Sequence, residues 1–244
     1  PKIAIEGGED VMAPTFVANK VQLCGSTTRN ILKQGFDTDD FIYVKDAIRD
    51  IRSIKNESDL EKLELVNEVL QKALDYFETL LQTPGIREVD VLAETQAYYT
   101  KLACGYRGAR GAARPFGQLS TGPERSLVAW ADGILSCGRV LQDGDVAMYE
   151  IGACMDGYWA DLTRTGCVGG FRGEKKQAYD AVSGAFQAGL AMAKDGVRGA
   201  EVDAACRAYL EERRYGQYFV HPAGHGTGFA HSEGFPHLEP GSQD

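Results

Sequence analysis

The sequence contains no apolar run close to the about 20 residues that a membrane-spanning helix needs, and no signal peptide opens it. It also has no C-x-x-C pair, because its six cysteines are widely spread. In a chain of this size, such cysteines indicate reduced thiols and a cytoplasmic protein. Basic residues are in the minority, and the formal net charge is -9. An acidic surface does not attract nucleic acid or an anionic membrane, so we expect neither as a partner.

The composition is that of a globular protein, with 43% hydrophobic and 25% charged residues. A chain of 244 residues could form one large domain, or one domain plus part of another. The sequence opens directly on the strand-like segment KIAIEG and stops in a polar turn after GSQD. We therefore expect it to be a segment of a longer polypeptide.

The first 46 residues differ from the rest of the chain in the pattern of their apolar and polar residues. Short apolar runs at Ile3–Ile5 and Phe41–Val44 are separated by Gly, Asp and Thr, which predicts a small α/β remnant. A long amphipathic helix then begins, with Ser58 and Glu61 as its predicted capping box. Pro84 and Gly85 are predicted to end this helix.

An internal repeat indicates that the domain is built from two related halves. The long helix, the segment GIREVD at 85–90 and a second helix reaching Leu102 form one unit. A helix over about 174–193, the segment GVRGAEVD at 196–203 and a helix reaching Leu210 form the other. Chance similarity between amphipathic helices is the alternative explanation.

Between these units the pattern predicts a β-hairpin. Strands over 146–153 and 158–168 flank the turn signal Met155-Asp156-Gly157. On this hairpin Glu150 and Asp161 are expected to lie roughly opposite each other, with their Cβ atoms about 5 Å apart. Two such carboxylates could bridge metal ions about 3.5–4 Å apart.

All four histidines fall in one Gly- and Pro-rich segment, HPAGHGTGFAHSEGFPHLEPG, over 221–241. Pro222 and Gly224 make a helix unfavourable there, so the segment is expected to be extended. In an extended chain His221 and His225 share a face. Carboxylates and imidazoles are ligands of divalent metals, so this segment and the hairpin together predict a metal site.

Simpler structural explanations exist for the same residues. Asp161 could be an exposed strand residue paired with Arg164, but its apolar surroundings favour a ligand, with Arg164 orienting the hairpin carboxylates. A buried Glu150 needs a metal or cationic partner, and the glycines around His225 leave little for its ring to pack against. The segment RGARGAARPFG at 107–117 is interpreted as a flexible loop, since it has no strand–G-x-G-x-x-G–helix context.

The motif E-I-G-A-x3-G-Y-x-x-D-L-T-R-T at 150–165, followed by H-P-A-G-H-G-T-G, resembles the Xaa-Pro peptidase branch of the creatinase / methionine aminopeptidase family. The resemblance runs from about residue 49 to the last residue. It implies an α+β pita-bread fold, with two pseudo-symmetric halves around a curved antiparallel sheet. Residues 49–244 would be this catalytic domain without its C-terminal part. Residues 1–48 would be the C-terminal part of a truncated creatinase-like N-terminal α/β domain.

The resemblance also implies a metal-dependent hydrolase that cleaves the bond before proline with water activated by two divalent ions, either manganese, cobalt or zinc. Glu150, Asp161 and His225 match the metal ligands, and further glutamate ligands are expected beyond residue 244. His221 and His231 match the catalytic, substrate-side histidines, with His237 as the fallback for His231. A small peptide or small-molecule substrate and a homodimer are expected.

The chain departs from the family pattern at three places. Glu150 stands where the family has Asp, and the segment GPERSLVAWADG at 122–133 has Ala129 or a neighbour in place of a histidine. Glu239-Pro240-Gly241 imitates a family ligand motif but follows His225 too closely, and is interpreted as part of a turn. Two alternatives therefore stay open, namely a creatinase- or ectoine-hydrolase-like enzyme acting on a non-peptide small molecule, and a catalytically silent binding member.

Overall fold

The computed structural model describes residues 2–5, 26–123, 136–233 and 235–244. Helices and strands are mixed along the chain, as expected for an α+β protein. The elements in this part of the chain are, in order, β1 (Ile3–Ile5), α1 (Ser26–Phe36), β2 (Phe41–Tyr43), α2 (Lys45–Ser53), α3 (Glu57–Leu80), α4 (Glu88–Ala103), β3 (Ala112–Thr121), β4 (Val146–Met155), β5 (Tyr158–Cys167), α5 (Gly173–Met192), α6 (Gly199–Glu212), β6 (Gly224–His225) and β7 (His237–Leu238).

The N-terminal segment forms a small α/β unit. β1 and β2 pair in parallel, with Ile3 opposite Phe41, and α1 lies between them in the chain. A parallel pair needs such a crossover connection, which is often a helix. α2 extends across the predicted boundary between residues 48 and 49, and the boundary itself stays a prediction.

The capping box of α3 lies two residues before the predicted one. The backbone N–H of Asp59 donates to Asn56 Oδ1 at 3.0 Å, and the N–H of Asn56 donates to Asp59 Oδ2 at 2.9 Å. Asn is as good an N-cap as Ser, so the assignment to Ser58 and Glu61 was wrong. Asp59 also accepts a 2.6 Å hydrogen bond from the hydroxyl of Tyr158, which ties the start of α3 to β5.

The main core lies between α3, α4 and one face of the sheet β3-β4-β5. Val66, Leu70 and Phe77 of α3 are fully buried, as are Tyr149 and Ile151 of β4. The rings of Phe77 and Tyr149 lie 5.4 Å apart. Because strand side chains alternate between faces, the residues between these apolar positions point to the other side of the sheet.

β3 replaces much of the loop predicted at 107–117. Residues 112–121 pair antiparallel with β4, so the prediction of a flexible loop was wrong for that part. The register shifts between Ala113 and Phe116, around Pro115. Proline has no N–H to donate, and bulges are among the places where a strand tolerates it. Pairing with β3 satisfies the backbone of β4 on the side away from β5.

The two helix pairs confirm the predicted internal repeat. Gly85 and Gly196, which occupy matching positions, have φ of 73° and 79°. Arg87 and Arg198 then form the N-caps of α4 and α6, both with extended backbone. Such backbone agreement is not expected from chance similarity between amphipathic helices. Within the described residues, none of the helices is long and apolar enough to cross a membrane.

A buried carboxylate fixes the start of α4 against the sheet. Glu88 is fully buried, and its Oε2 accepts a 2.5 Å hydrogen bond from the Thr121 hydroxyl. Its Oε1 accepts a 2.9 Å hydrogen bond from the backbone N–H of Cys137. Its own N–H donates to the carbonyl of Arg139 at 2.9 Å. The first turn of a helix also favours negative charge.

We predict that Glu88→Ala lowers the free energy of unfolding by about 2 to 4 kcal/mol, because it leaves buried donors without an acceptor. Urea denaturation followed by circular dichroism measures the change. Glu94→Ala, at an exposed position of the same helix, is the control and should change it by less than about 0.5 kcal/mol. Equal effects of the two substitutions would show that Glu88 does not anchor the helix.

Candidate metal centre

The turn of the β4–β5 hairpin determines where its carboxylates lie. Asp156 and Gly157 have φ of 49° and 89°, the left-handed values of a two-residue hairpin turn. The predicted hairpin is thereby confirmed. Its register places Asp161 opposite Gly152 and Glu150 opposite Thr163. Glu150 and Asp161 are therefore diagonal neighbours on one face, and the prediction that they lie opposite each other was wrong by two positions.

Three side chains converge on this face of the sheet. Glu150, Asp161 and His231 each offer a ligand atom, and these atoms all lie within 4.8 Å of one another. Diagonal neighbours have Cα atoms about 7–8 Å apart, which leaves more room between the carboxylates than a directly facing pair would. The ring of His231 occupies part of that room.

Gly152 provides the space for His231. It lies between the two carboxylates, two residues along β4 from Glu150 and directly opposite Asp161. A Cβ at this position would lie 2.8 Å from Nε2 of His231 and closer still to Cδ2. Real side chains do not approach so closely. The glycine of the E-I-G-A motif is therefore required by packing here, and not by backbone conformation.

The imidazole rings of His225 and His231 both approach the same carboxylate oxygen of Asp161. Nε2 of His231 lies 3.0 Å from Asp161 Oδ2, and Nε2 of His225 lies 3.4 Å from the same atom. Burial raises the pKa of Asp161, but hydrogen bonds and charge from the two histidines outweigh burial and hold that pKa below its usual value. The other oxygen, Oδ1, is buried and has no hydrogen-bond partner in the described part of the chain.

His225 is oriented by its backbone neighbour. Its Nδ1 lies 3.1 Å from the carbonyl of Gly226, so Nε2 is directed toward Asp161. The hydrogen bond to Asp161 raises the pKa of His225, burial opposes it, and the Gly226 carbonyl and the charges of Asp161 and Glu150 add to the rise. A carbonyl on one ring nitrogen that directs the other to a carboxylate site is typical of metal-ligating histidines.

The remaining predicted residues lie elsewhere. His221 is exposed, its Nδ1 lies 2.7 Å from the carbonyl of Pro222, and its ring packs against Phe219 rather than the carboxylates. His237 pairs with His225 across β6 and β7. Ala129, where the family histidine is missing, lies outside the described residues.

Arg164 does not orient the carboxylates. It lies three positions from Asp161 and therefore on the opposite face of β5. Its Nη2 donates to Gln71 Oε1 of α3 at 2.5 Å, and its Nη1 donates to the carbonyl of Thr163. The predicted role was wrong, and so is the alternative ion pair between Asp161 and Arg164.

A buried ion-pair cluster holds the segment that carries His231. The side chain of Glu233 is 5% exposed, with Lys55 Nζ at 2.5 Å and Arg52 Nη2 at 3.2 Å. Its Oε1 also accepts a 2.8 Å hydrogen bond from the N–H of Phe229. The two cations come from the end of α2 and the residues before α3, so an N-terminal segment fixes a loop about 180 residues later.

A second anchor holds the stretch before His225. Asp203 of α6 is buried and accepts a 3.0 Å hydrogen bond from the backbone N–H of Ala223. Arg207 pairs with Asp203 and donates to the carbonyls of Phe219 and His221, each at 2.9 Å. The backbone on the N-terminal side of His225 is thereby fixed.

The residues of this centre fit a divalent metal. Two carboxylates and imidazole nitrogens form the donor set that such ions take in hydrolases. The buried Oδ1 of Asp161 has no donor among the residues that the structure describes, and a cation would satisfy it. The carboxyl groups project from two strands that the hairpin holds in a fixed register.

Sequence reasoning missed the residues that support this centre. No motif in the sequence marks Arg52, Lys55 or Glu233 as part of the site. The one sequence signal for Gly152 is a glycine inside a strand, which often marks a close approach by another group. The partner that approaches it lies about 80 residues away and is visible only in the fold.

Comparisons with known proteins agree with this geometry. The sequence profile of metallopeptidase family M24 matches residues 61–244. The Xaa-Pro dipeptidases of Pyrococcus furiosus and Pyrococcus horikoshii are similar to the chain, with 31% identity over 198 residues and 33% over 199. These matches cover 80% and 81% of this chain, and 53% of each relative. The chain therefore spans about half the length of these relatives.

Solved structures with the same fold include the X-Pro aminopeptidase of Thermotoga maritima, with a TM-score of 0.78 and 26% identity, covering 100% of this chain and 62% of that one. The Xaa-Pro dipeptidase of Bacillus anthracis has a TM-score of 0.77 and 27% identity, covering 93% of this chain and 59% of that one. The architecture, the hairpin carboxylates and the sequence match agree. The chain belongs to metallopeptidase family M24 and has the α+β pita-bread fold of its Xaa-Pro peptidase branch.

Proposed function

We propose that the protein is a metal-dependent hydrolase that cleaves small peptides at the bond before proline. The observation that carries the proposal is the convergence of Glu150, Asp161 and histidine on one face of the sheet, with ligand atoms within 4.8 Å of one another. The names of its relatives supply the substrate class, since two of them are Xaa-Pro dipeptidases.

In this proposal the site holds two divalent ions, manganese, cobalt or zinc. Such ions lower the pKa of bound water and so supply a nucleophile at neutral pH. Glu150 and Asp161 contribute carboxylate oxygens, and further glutamate ligands implied by the family complete the set. We also propose a homodimer in the cytoplasm, from the resemblance and from the reduced cysteines.

The histidines divide the remaining roles. The family motif assigns metal binding to His225, and its Gly226-oriented ring supports that role. His231 then orients the peptide carbonyl and stabilises the developing negative charge. His231 is the alternative candidate for the metal-binding histidine, because it offers a ligand atom within 4.8 Å of those of Glu150 and Asp161. His221 would act on the substrate from the exposed side of the segment.

We predict that the full-length protein, supplied with manganese, hydrolyses Xaa-Pro dipeptides and that Asp161→Asn abolishes both activity and metal binding. Asparagine keeps the size of the side chain but removes the charge that holds the ion. Proline release and metal content by mass spectrometry are the measurements. Absence of hydrolysis by a metal-loaded wild type would contradict the proposal, and turnover of a non-peptide small molecule would replace it with the creatinase-like alternative.

The histidine roles are tested by metal affinity. Loss of a residue that only supports a metal ligand typically weakens metal binding about 10- to 100-fold. We predict that His225→Ala weakens metal binding by more than this, because it removes a ligand. His231→Ala should retain metal and lower kcat. Chelator competition and steady-state kinetics give the two quantities. The reverse pattern, with metal lost from His231→Ala alone, would make His231 the ligand and contradict the assignment.

The ion-pair cluster at Glu233 should support metal binding from a distance. We predict that Lys55→Met weakens metal affinity about 10- to 100-fold, because Glu233 loses a buried partner and its backbone N–H holds the Gly226 carbonyl that orients His225. Lys72→Met, which removes a half-exposed lysine of α3 that pairs with Glu68 and not with Glu233, is the control and should leave the affinity unchanged. The same affinity in both variants would show that the cluster stabilises the fold without positioning the loop.

A further inference from the structure

Two polar side chains of β3 lie beside the metal centre and have no role in the reaction as described. Gln118 faces Glu150 across β3 and β4, and Ser120 faces Met148. Facing residues of an antiparallel pair point to the same side of the sheet. Gln118 and Ser120 therefore share the face of Glu150, on the side of β4 away from Asp161.

Each side chain has a buried oxygen that finds no hydrogen-bond partner among the described residues. Gln118 is 5% exposed and Ser120 is 1% exposed. Gln118 Oε1 and Ser120 Oγ form no hydrogen bond with any residue in the described ranges. Thr121, on the other face of the same strand, does have partners, because its hydroxyl donates to Glu88 and accepts from Arg139. Buried polar atoms are nearly always hydrogen-bonded, so two neighbouring exceptions beside the proposed metal site indicate groups that can bind a ligand.

The chemistry of the two groups selects the ligand. Gln118 Oε1 is an acceptor, the Ser120 hydroxyl can accept, and Glu150 adds a carboxylate next to them. This set favours an N–H donor, above all an ammonium group, and disfavours a second carboxylate. Neighbouring strands are about 4.8 Å apart, so a substrate whose carbonyl lies at the metal centre can reach β3 with an adjacent group.

We propose that Gln118 and Ser120 bind the amino-terminal N–H groups of a small peptide substrate and so select for a free amine. The inference rests on the proposed peptidase function and adds a specificity site to it. Neither group belongs to the ligand set, and Ser120 faces a methionine rather than a ligand. Their role is therefore separate from holding metal.

The test uses the full-length protein with manganese and two substrates that differ by one amine, Gly-Pro and acetyl-proline. The wild type should prefer Gly-Pro. Gln118→Leu and Ser120→Ala should each lower kcat/KM for Gly-Pro by about tenfold, mainly through KM, and change acetyl-proline hydrolysis little. Metal content should stay at the wild-type value.

Thr165→Val is the matched control, because Thr165 faces Met148 from β5 as Ser120 does from β3. It should leave the preference for the amine unchanged. The inference is overturned if the β3 variants slow both substrates equally, if they lose metal, or if Thr165→Val has the same effect.

A second measurement separates this inference from the proposed activity. If the wild type hydrolyses neither compound, the peptidase proposal fails, and calorimetric titration of Gly-Pro into metal-free protein then tests the binding site alone. Tighter binding of Gly-Pro by the wild type than by Gln118→Leu would support the site. Equal binding, or equal affinity for acetyl-proline, would overturn it.

Discussion

The register of the β4–β5 hairpin is the constraint on which the rest of the site depends. A two-residue turn at Asp156 and Gly157 sets every pair along ten residues of each strand. One face receives Tyr149 and Ile151 for the core, and the other receives Glu150 with Asp161 as its diagonal neighbour. A slip of one residue would exchange the two faces, burying the carboxylates under α3 and exposing apolar side chains.

The histidine segment depends on contacts that come from far away in the chain. It has little regular structure of its own, since β6 and β7 are two residues each. Ionic groups hold this segment from two sides. Arg52 and Lys55 pair with Glu233 on one side. On the other side, Asp203 and its partner Arg207 bind the backbone before His225. Burying charges is costly unless they are paired. Such pairs fix a geometry that a glycine-rich segment could not maintain alone.

Much of the fold could be predicted from local patterns, and the site only in part. The hairpin signal at Asp156-Gly157 and the repeat formed by the two helix pairs are local features, and the structure confirms both. Arg164 was misassigned because its face depends on strand alternation, and β3 was missed because Gly and Arg dominate the sequence before it. The contact between Gly152 and His231 joins residues about 80 positions apart, and no local pattern encodes it.

Anomalous diffraction from manganese-soaked crystals of the full-length protein would locate the ion directly. The account predicts a peak within about 2.3 Å of carboxylate oxygens from both Glu150 and Asp161 and of one imidazole nitrogen from the 221–237 segment. Manganese bound elsewhere, or contacting only one of the two hairpin carboxylates, would contradict the convergence on which the proposed function rests.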